Sequence, residues 1–181
     1  MKRVLFVSLL LAVLSSMIGA HAQALQRTKG YSGSVELFAG TGGNTVYSGW
    51  RAFGLQTAHG YRFSPHFSLH LGVGLLTDRF WPMVLPIQVD GRVDFGRTST
   101  RPFLQAGVGY GLPLLVEVGG MNVQFGLGLH APVSPQLGII ASAAVRFQTH
   151  SEEVYGPYMV MSGFVEFRLG LAFGSFKKEN P

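Results

Sequence analysis

Residues 67–78 read Phe67-Ser68-Leu69-His70-Leu71-Gly72-Val73-Gly74-Leu75-Leu76-Thr77-Asp78. Phe67, Leu69, Leu71, Val73 and Leu75 fall on one beat of a two-residue rhythm; Ser68, His70, Gly72 and Gly74 fall on the other, and Leu76 breaks it. A strand sends successive side chains to opposite faces, so this segment has one apolar face and one small or polar face. The stretch runs longer than the ~5–6 residues of an ordinary sandwich strand and matches the ~9–11 residues of a tilted membrane-crossing strand.

The same rhythm recurs on both sides of that segment. Upstream it occupies 31–39, with Val35 and Leu37 against Ser34, Glu36 and Phe38, and then 51–63, where Phe53, Leu55 and Tyr61 alternate with Gln56, Ala58 and Arg62. Downstream it occupies 84–95, 104–112, 122–131, 137–148 and 159–173, where Ile140 is again off-pattern. Pro113 bends or ends the fifth of the eight segments, unless 116–121 prolong it into a Gly119-Gly120 hairpin. Ser64-Pro65 and Ser134-Pro135 read as tight turns, and 96–102 as a longer one.

The ends of the chain bound its location. Lys2 and Arg3, an apolar run from Val4 to Ile18, and a small-x-small site at Ala20–Ala22 (or Ala22–Ala24) predict a cleaved secretory signal over 1–22. A lead-in over 23–29, a barrel over 30–173 and a periplasmic tail over 174–181 follow, unless Phe176 belongs to the last strand. Cleavage after Ala22 leaves 181 − 22 = 159 residues, enough for one domain. The absence of Cys rules out disulfide staples. Without Lys2 and Arg3 the formal charge falls from +5 to +3, too little to indicate a nucleic-acid partner. Beyond the signal the lysines are Lys29, Lys177 and Lys178, so the strands carry none. A soluble β protein sets such residues along its wet faces. Together these features predict an all-β fold, an eight-stranded antiparallel up-and-down transmembrane β-barrel, with lipid outside and the polar beat enclosed.

Aromatic residues gather at the predicted strand ends. Phe63, Phe67, Phe95, Phe103 and Phe173 mark a periplasmic girdle; Trp50 and Trp81, with Tyr110 and Phe147, mark the other rim. The enclosed beat carries Glu36, Gln56, His70, Gln88, Asp90, Arg92, Gln105, Gln124, Arg146, Glu166 and Arg168, a near balance of charge that predicts mutual pairing. Closure of strand one on strand eight predicts Glu36 beside Glu166 and Arg168. Arg62, Asp78 and Asp94 are expected at the wet rims.

No chemistry-bearing motif rises above this pattern. The histidines give no HxH or HExxH spacing, so no metal site is expected, and the glycines form no GxGxxG loop, so neither is a nucleotide cofactor. His150-Ser151-Glu152 holds the residue types of a hydrolase, but adjacent residues on one loop seldom converge into a triad. No catalytic residue is assigned.

With these segments, the Ser-Pro turns and the Phe-ended last strand in hand, the mature chain resembles the small outer-membrane barrels of the OmpX and OmpA transmembrane type. More narrowly, Lys29-Gly30-Tyr31, Thr57-Ala58-His59-Gly60-Tyr61-Arg62-Phe63 and Pro102-Phe103-Leu104 look like segments of short barrels of the porin-like superfamily. The resemblance implies residence in a Gram-negative outer membrane, with lipid and the barrel-assembly machinery as partners, the latter through the Phe173-ended strand. It carries no catalytic residues. The expected function is a monomeric, non-enzymatic barrel with a plugged polar lumen and an envelope-structural or surface-contact role. Alternatives are a narrow pore, an outer-leaflet lipid-modifying enzyme and a soluble periplasmic ligand binder with its faces inverted.

Overall fold

The computed structural model describes residues 25–43, 48–78, 83–96, 100–114, 119–152 and 158–178. The predicted signal segment 1–22 lies outside them. The strands are β1 (Leu25–Gly43), β2 (Ser48–Arg62), β3 (Phe67–Asp78), β4 (Val84–Asp94), β5 (Arg101–Pro113), β6 (Gly120–Pro132), β7 (Leu137–Glu152) and β8 (Tyr158–Lys178). Each pairs antiparallel with its neighbour in sequence, and β1 closes on β8. Closure leaves the sheet without a free edge, as a sheet exposed to lipid requires, although the β3–β4 ladder is interrupted between Val73–Ile87 and Leu76–Val84, at Pro86. The fifth segment ends at Pro113, where the proline ring removes a ladder donor.

Register follows from the rhythm. Val35 faces Leu171 and Thr57, and Leu71 faces His59 and Val89, so like beats align around the barrel. A one-residue slip in any pair would carry apolar side chains inward and charges outward. The two Ser-Pro turns are built alike. Ser64 Oγ accepts from the amides of His66 and Phe67, and Ser134 Oγ from those of Gln136 and Leu137. In each, the residue before the serine donates its amide to the carbonyl that resumes the strand, Phe63 to Phe67 and Val133 to Leu137.

The ends of β1 and β8 extend past the bounds read from sequence. The barrel segment was expected to begin at residue 30 and stop at Phe173, yet Leu25–Arg27 pair with Phe176–Lys178. Between Arg27–Phe176 and Ser32–Gly174 the register jumps, a bulge occupied by Gly30 at φ 140°, a conformation side chains rarely adopt. The bulge lets the strand pair resume beyond the rim. The eight-residue tail expected from 174 onward is thus partly strand.

Burial is inverted relative to a soluble protein. Leu37, Leu127 and Phe167 point outward and are more than 60% exposed, whereas Arg146 and Glu166 are wholly buried.

Candidate functional site

The lumen is where the chain concentrates its chemistry. Inward positions on β4, β6, β7 and β8 supply a connected charged network around Glu166. Arg168 Nη2 donates to Glu166 Oε2 at 2.7 Å, and Arg146 Nε stands 3.0 Å from Glu166 Oε1. Arg168 Nη2 also donates to Gln124 Oε1 at 2.5 Å, and Gln124 Nε2 passes a hydrogen bond to Asp90 Oδ1 at 2.5 Å. Gln88 Nε2 donates to Asp90 Oδ2 at 2.8 Å, and Gln56 joins Arg168 to Asp90 through longer contacts. The two amides act as relays, each accepting from an arginine and donating to a carboxylate, so neither ion is buried without polar contact.

A second group sits nearer the end that carries the Ser-Pro turns. Glu36 accepts from Ser34 Oγ at 2.6 Å and stands 3.5 Å from Arg92 Nη2, which also donates to Gln105 Oε1. The expectation that Glu36 lies near Glu166 and Arg168 holds for Arg168, one diagonal step from Glu36's partner Gly170, while the ion-pair partner of Glu36 is Arg92 across the lumen. His70 Nε2 bonds Ser32 Oγ at 2.7 Å. All eleven polar residues assigned to the lumen from sequence are buried there.

Four differences from the sequence reading concern this enclosed face. Arg62 and Asp94 are not rim residues; they form a buried ion pair at 2.6 Å. Arg101, read as loop, is 3% exposed and points its Nη1 toward Pro65 O, as Arg62 does. Phe103, placed in the periplasmic girdle, is 1% exposed and lies inside, with the Arg92 guanidinium 4.4 Å from its ring centre. Its position shares the beat of Gln105 and Gly107. The side chain of Asp78 lies outside the described residues.

The lumen is also less polar than expected. Leu76, the off-rhythm residue of β3, packs with Phe38, Ala52, Val84 and Phe164 toward the outer end. Ile140, the off-rhythm residue of β7, packs with Phe103 and Ala172. Both exceptions to the alternation are internal apolar filler. Phe38 additionally lies beneath Arg146 and Arg168, at 5.3 and 5.6 Å. An eight-stranded barrel is just wide enough for side chains to fill, and these project into it.

On the outer wall, Phe63 stacks near Phe67 at 5.9 Å and packs edge-on to Tyr61 at 5.1 Å, while Tyr31 and Phe173 lie 6.1 Å apart. Phe95 is exposed on the same end. The side chains of Trp50 and Trp81 lie outside the described residues. His59, on the apolar beat, is held between Tyr31 (hydroxyl to Nδ1, 2.5 Å) and Thr57 (Nε2 to Oγ1, 2.8 Å). Thr57 Oγ1 also donates to Ser34 O, so both ring nitrogens of His59 have a hydroxyl partner on the wall.

Among the described residues no cluster of three His, Asp or Glu side chains could hold a metal ion. His150 and Ser151 lie at the outer end of β7, opposite Val160 and Met159, with their side chains outside the described residues.

A closed eight-stranded meander with ionised residues inside and aliphatic residues outside has the fold of the small outer-membrane β-barrels. No family model and no curated protein matches the chain. Among solved structures it is similar to Neisserial surface protein A, with 13% identity, TM-score 0.63, and coverage of 81% of this chain and 99% of that one. It is also similar to the N-terminal barrel of OprF from Pseudomonas aeruginosa, at 19% identity, TM-score 0.49, and 81% and 98% coverage. A designed transmembrane β-barrel gives 17% identity, TM-score 0.49, and 78% and 93% coverage. The likeness to Neisserial surface protein A is one of fold.

Proposed function

We propose that the protein is a monomeric, non-enzymatic barrel of a Gram-negative outer membrane, sealed by its own side chains and serving the envelope structurally. One observation carries the reading: Arg146 and Glu166, both wholly buried, pair diagonally between β7 and β8, strands whose outward residues include Val145, Phe147, Val165, Phe167 and Leu169. Charges turned inward and apolar side chains turned outward are stable only when the outside is hydrocarbon. A soluble periplasmic binder would need the reverse.

The lumen argues for structure over transport. Ion pairs, amide relays and two apolar clusters project into it, which supports a lumen plugged by side chains. The outer connections fall at 44–47, 79–83, 114–119 and 153–157, too short to build a large receptor or adhesin surface. The barrel-assembly machinery would read β8, the strand that closes on β1.

Cell fractionation with electrophoresis of boiled and unboiled samples tests the proposal. A faster band in unboiled outer-membrane samples, slowed by boiling, is the expected result. An unshifted band in the soluble periplasm would overturn it.

A further inference from the structure

All lysines beyond the predicted signal segment, distant in sequence, come together in space. Lys29 lies on β1, and Lys177 and Lys178 lie on β8, where Leu25–Arg27 pair with Phe176–Lys178. Arg27 joins them. This two-stranded ribbon carries Arg27, Lys29, Lys177 and Lys178 past Tyr31 and Phe173, at the end of the barrel that bears the Ser-Pro turns.

No acid on the ribbon's ladder neutralises them. Lys178 stands opposite Leu25, Lys177 opposite Gln26 and Arg27 opposite Phe176, so none of these cations faces a carboxylate across the strands. Lys29 falls in the interval where the register jumps beside Gly30, and it is exposed. Facing positions stabilise a strand pair when their charges are opposite, whereas like charges gathered on one ribbon repel.

The remaining charge sorts by depth. Inside, Glu36, Asp90 and Glu166 balance Arg92, Arg146 and Arg168, and Arg62 is spent on Asp94. Arg101 is buried, with its Nη1 toward Pro65 O. In and beside the connections at the opposite end, Asp78, Glu117, Glu152 and Glu153 outnumber Arg51 and Arg79. The chain's positive surplus therefore belongs to the ribbon and to Arg97 in the β4–β5 connection, set against Glu179.

Charge and position together name the occupant. Tyr31, Tyr61, Phe63 and Phe67 are exposed on the wall at this end, the kind of aromatic belt that marks a membrane–water interface. At ~3.3 Å per residue, Lys29 stands about 7 Å beyond Tyr31 and Lys177 about 13 Å beyond Phe173, distances that strand tilt shortens. Basic segments so close to a bilayer are drawn to the phosphates of anionic lipids.

We infer that the β1–β8 ribbon docks on the headgroups of anionic phospholipids in the leaflet at its end of the barrel. Arg27, Lys29, Lys177 and Lys178 supply the charge that meets the lipid phosphates. The inference rests on the reading of the chain as a membrane-embedded barrel. Docking neutralises charge that the ribbon holds unpaired, and it keeps the closing strand pair against the bilayer surface.

Native mass spectrometry of the folded protein in neutral detergent, with equal amounts of phosphatidylglycerol and phosphatidylcholine of the same acyl chains, tests this. Retained phosphatidylglycerol is expected to exceed phosphatidylcholine several-fold. Replacing the three lysines together (Lys29→Gln, Lys177→Gln, Lys178→Gln) should bring the two near parity, and Arg51→Gln, at an exposed arginine of the opposite end, should preserve the excess. A salt series on the wild-type protein decides the matter even if the triple variant fails to fold, because raised ammonium acetate should erase the excess. Inorganic phosphate at the lipid concentration should leave it unchanged; displacement by phosphate would show a site for the free anion and overturn the lipid assignment. Equal retention of both lipids by the wild-type protein, or a loss as large in Arg51→Gln as in the triple variant, would overturn it too and turn the ribbon toward an acidic macromolecule. Failure of the membrane-barrel reading shows differently, as an unshifted band in the soluble periplasm.

Discussion

Arg62 Nη1 and Asp94 Oδ2 stand 2.6 Å apart with both side chains almost fully buried, tying the end of β2 to the end of β4 across β3. His66 reinforces the same corner. Its backbone carbonyl accepts from the Asp94 amide at 2.8 Å and its Nδ1 meets Asp94 O at 3.0 Å. The Ser64-Pro65 turn is thereby folded against the periplasmic end of the lumen.

Removing one member of this pair is expected to be far worse than removing both. Asp94→Ala leaves a buried guanidinium uncompensated, at a cost of about 3–5 kcal/mol, whereas Arg62→Met with Asp94→Leu should come close to neutral. Urea titration of the folded, fast-migrating band measures both. Equal losses would show the pair to be solvated.

The Glu166 network predicts an order among carboxylates. Glu166 serves two arginines at 3.0 and 2.7 Å, whereas Glu36 approaches Arg92 only at 3.5 Å. Glu166→Gln should therefore lower the unfolding midpoint more than Glu36→Gln. A double-mutant cycle of Glu166→Gln with Arg168→Met should give a coupling of about 1 kcal/mol or more, as expected for groups in one network.

Position 103 separates inside from outside. Phe103→Ala empties lumen volume beside Ile140 and removes the ring beneath Arg92, a change that costs about 3–5 kcal/mol in a packed core. Leu104→Ala, one residue on and 52% exposed on the outer wall, should cost much less. Comparable losses would put Phe103 on the wall.

The outer face should respond to charge by depth. Leu71, mid-strand on β3 and 54% exposed, is predicted to lose about 2–4 kcal/mol when replaced by Arg, and Phe95, at the aromatic end, about 1 or less. Folding yield into lipid vesicles at graded urea reads the difference. A depth-independent response would contradict immersion in a bilayer.

Most of the fold was legible because a strand's period is short and its consequences are binary. Strand number, pairing order and the face of each of the eleven lumen residues follow from the alternate beat. What was missed follows from weighing position over period. Phe103 looked like a girdle residue because it sits at a strand end, yet its beat matches Gln105 and Gly107. Arg101 continues the same beat and was read as loop. Arg62 and Asp94 looked like rim residues because each closes its strand, and only three-dimensional proximity of β2 and β4 makes them a pair. Leu76 and Ile140 break the rhythm because they pack in apolar clusters that lie between the lumen's charged groups. The extension of β1 and β8 depended on a bulge at Gly30, which alternation cannot encode.

Planar-bilayer recording of the purified, refolded protein is the most direct test of the central claim that the barrel spans a membrane and is sealed by its own side chains. Insertion of folded protein without steady conductance above the bare-bilayer level is the predicted result. Reproducible current steps from the wild-type protein would contradict it, because a lumen sealed by its own side chains would pass no ions.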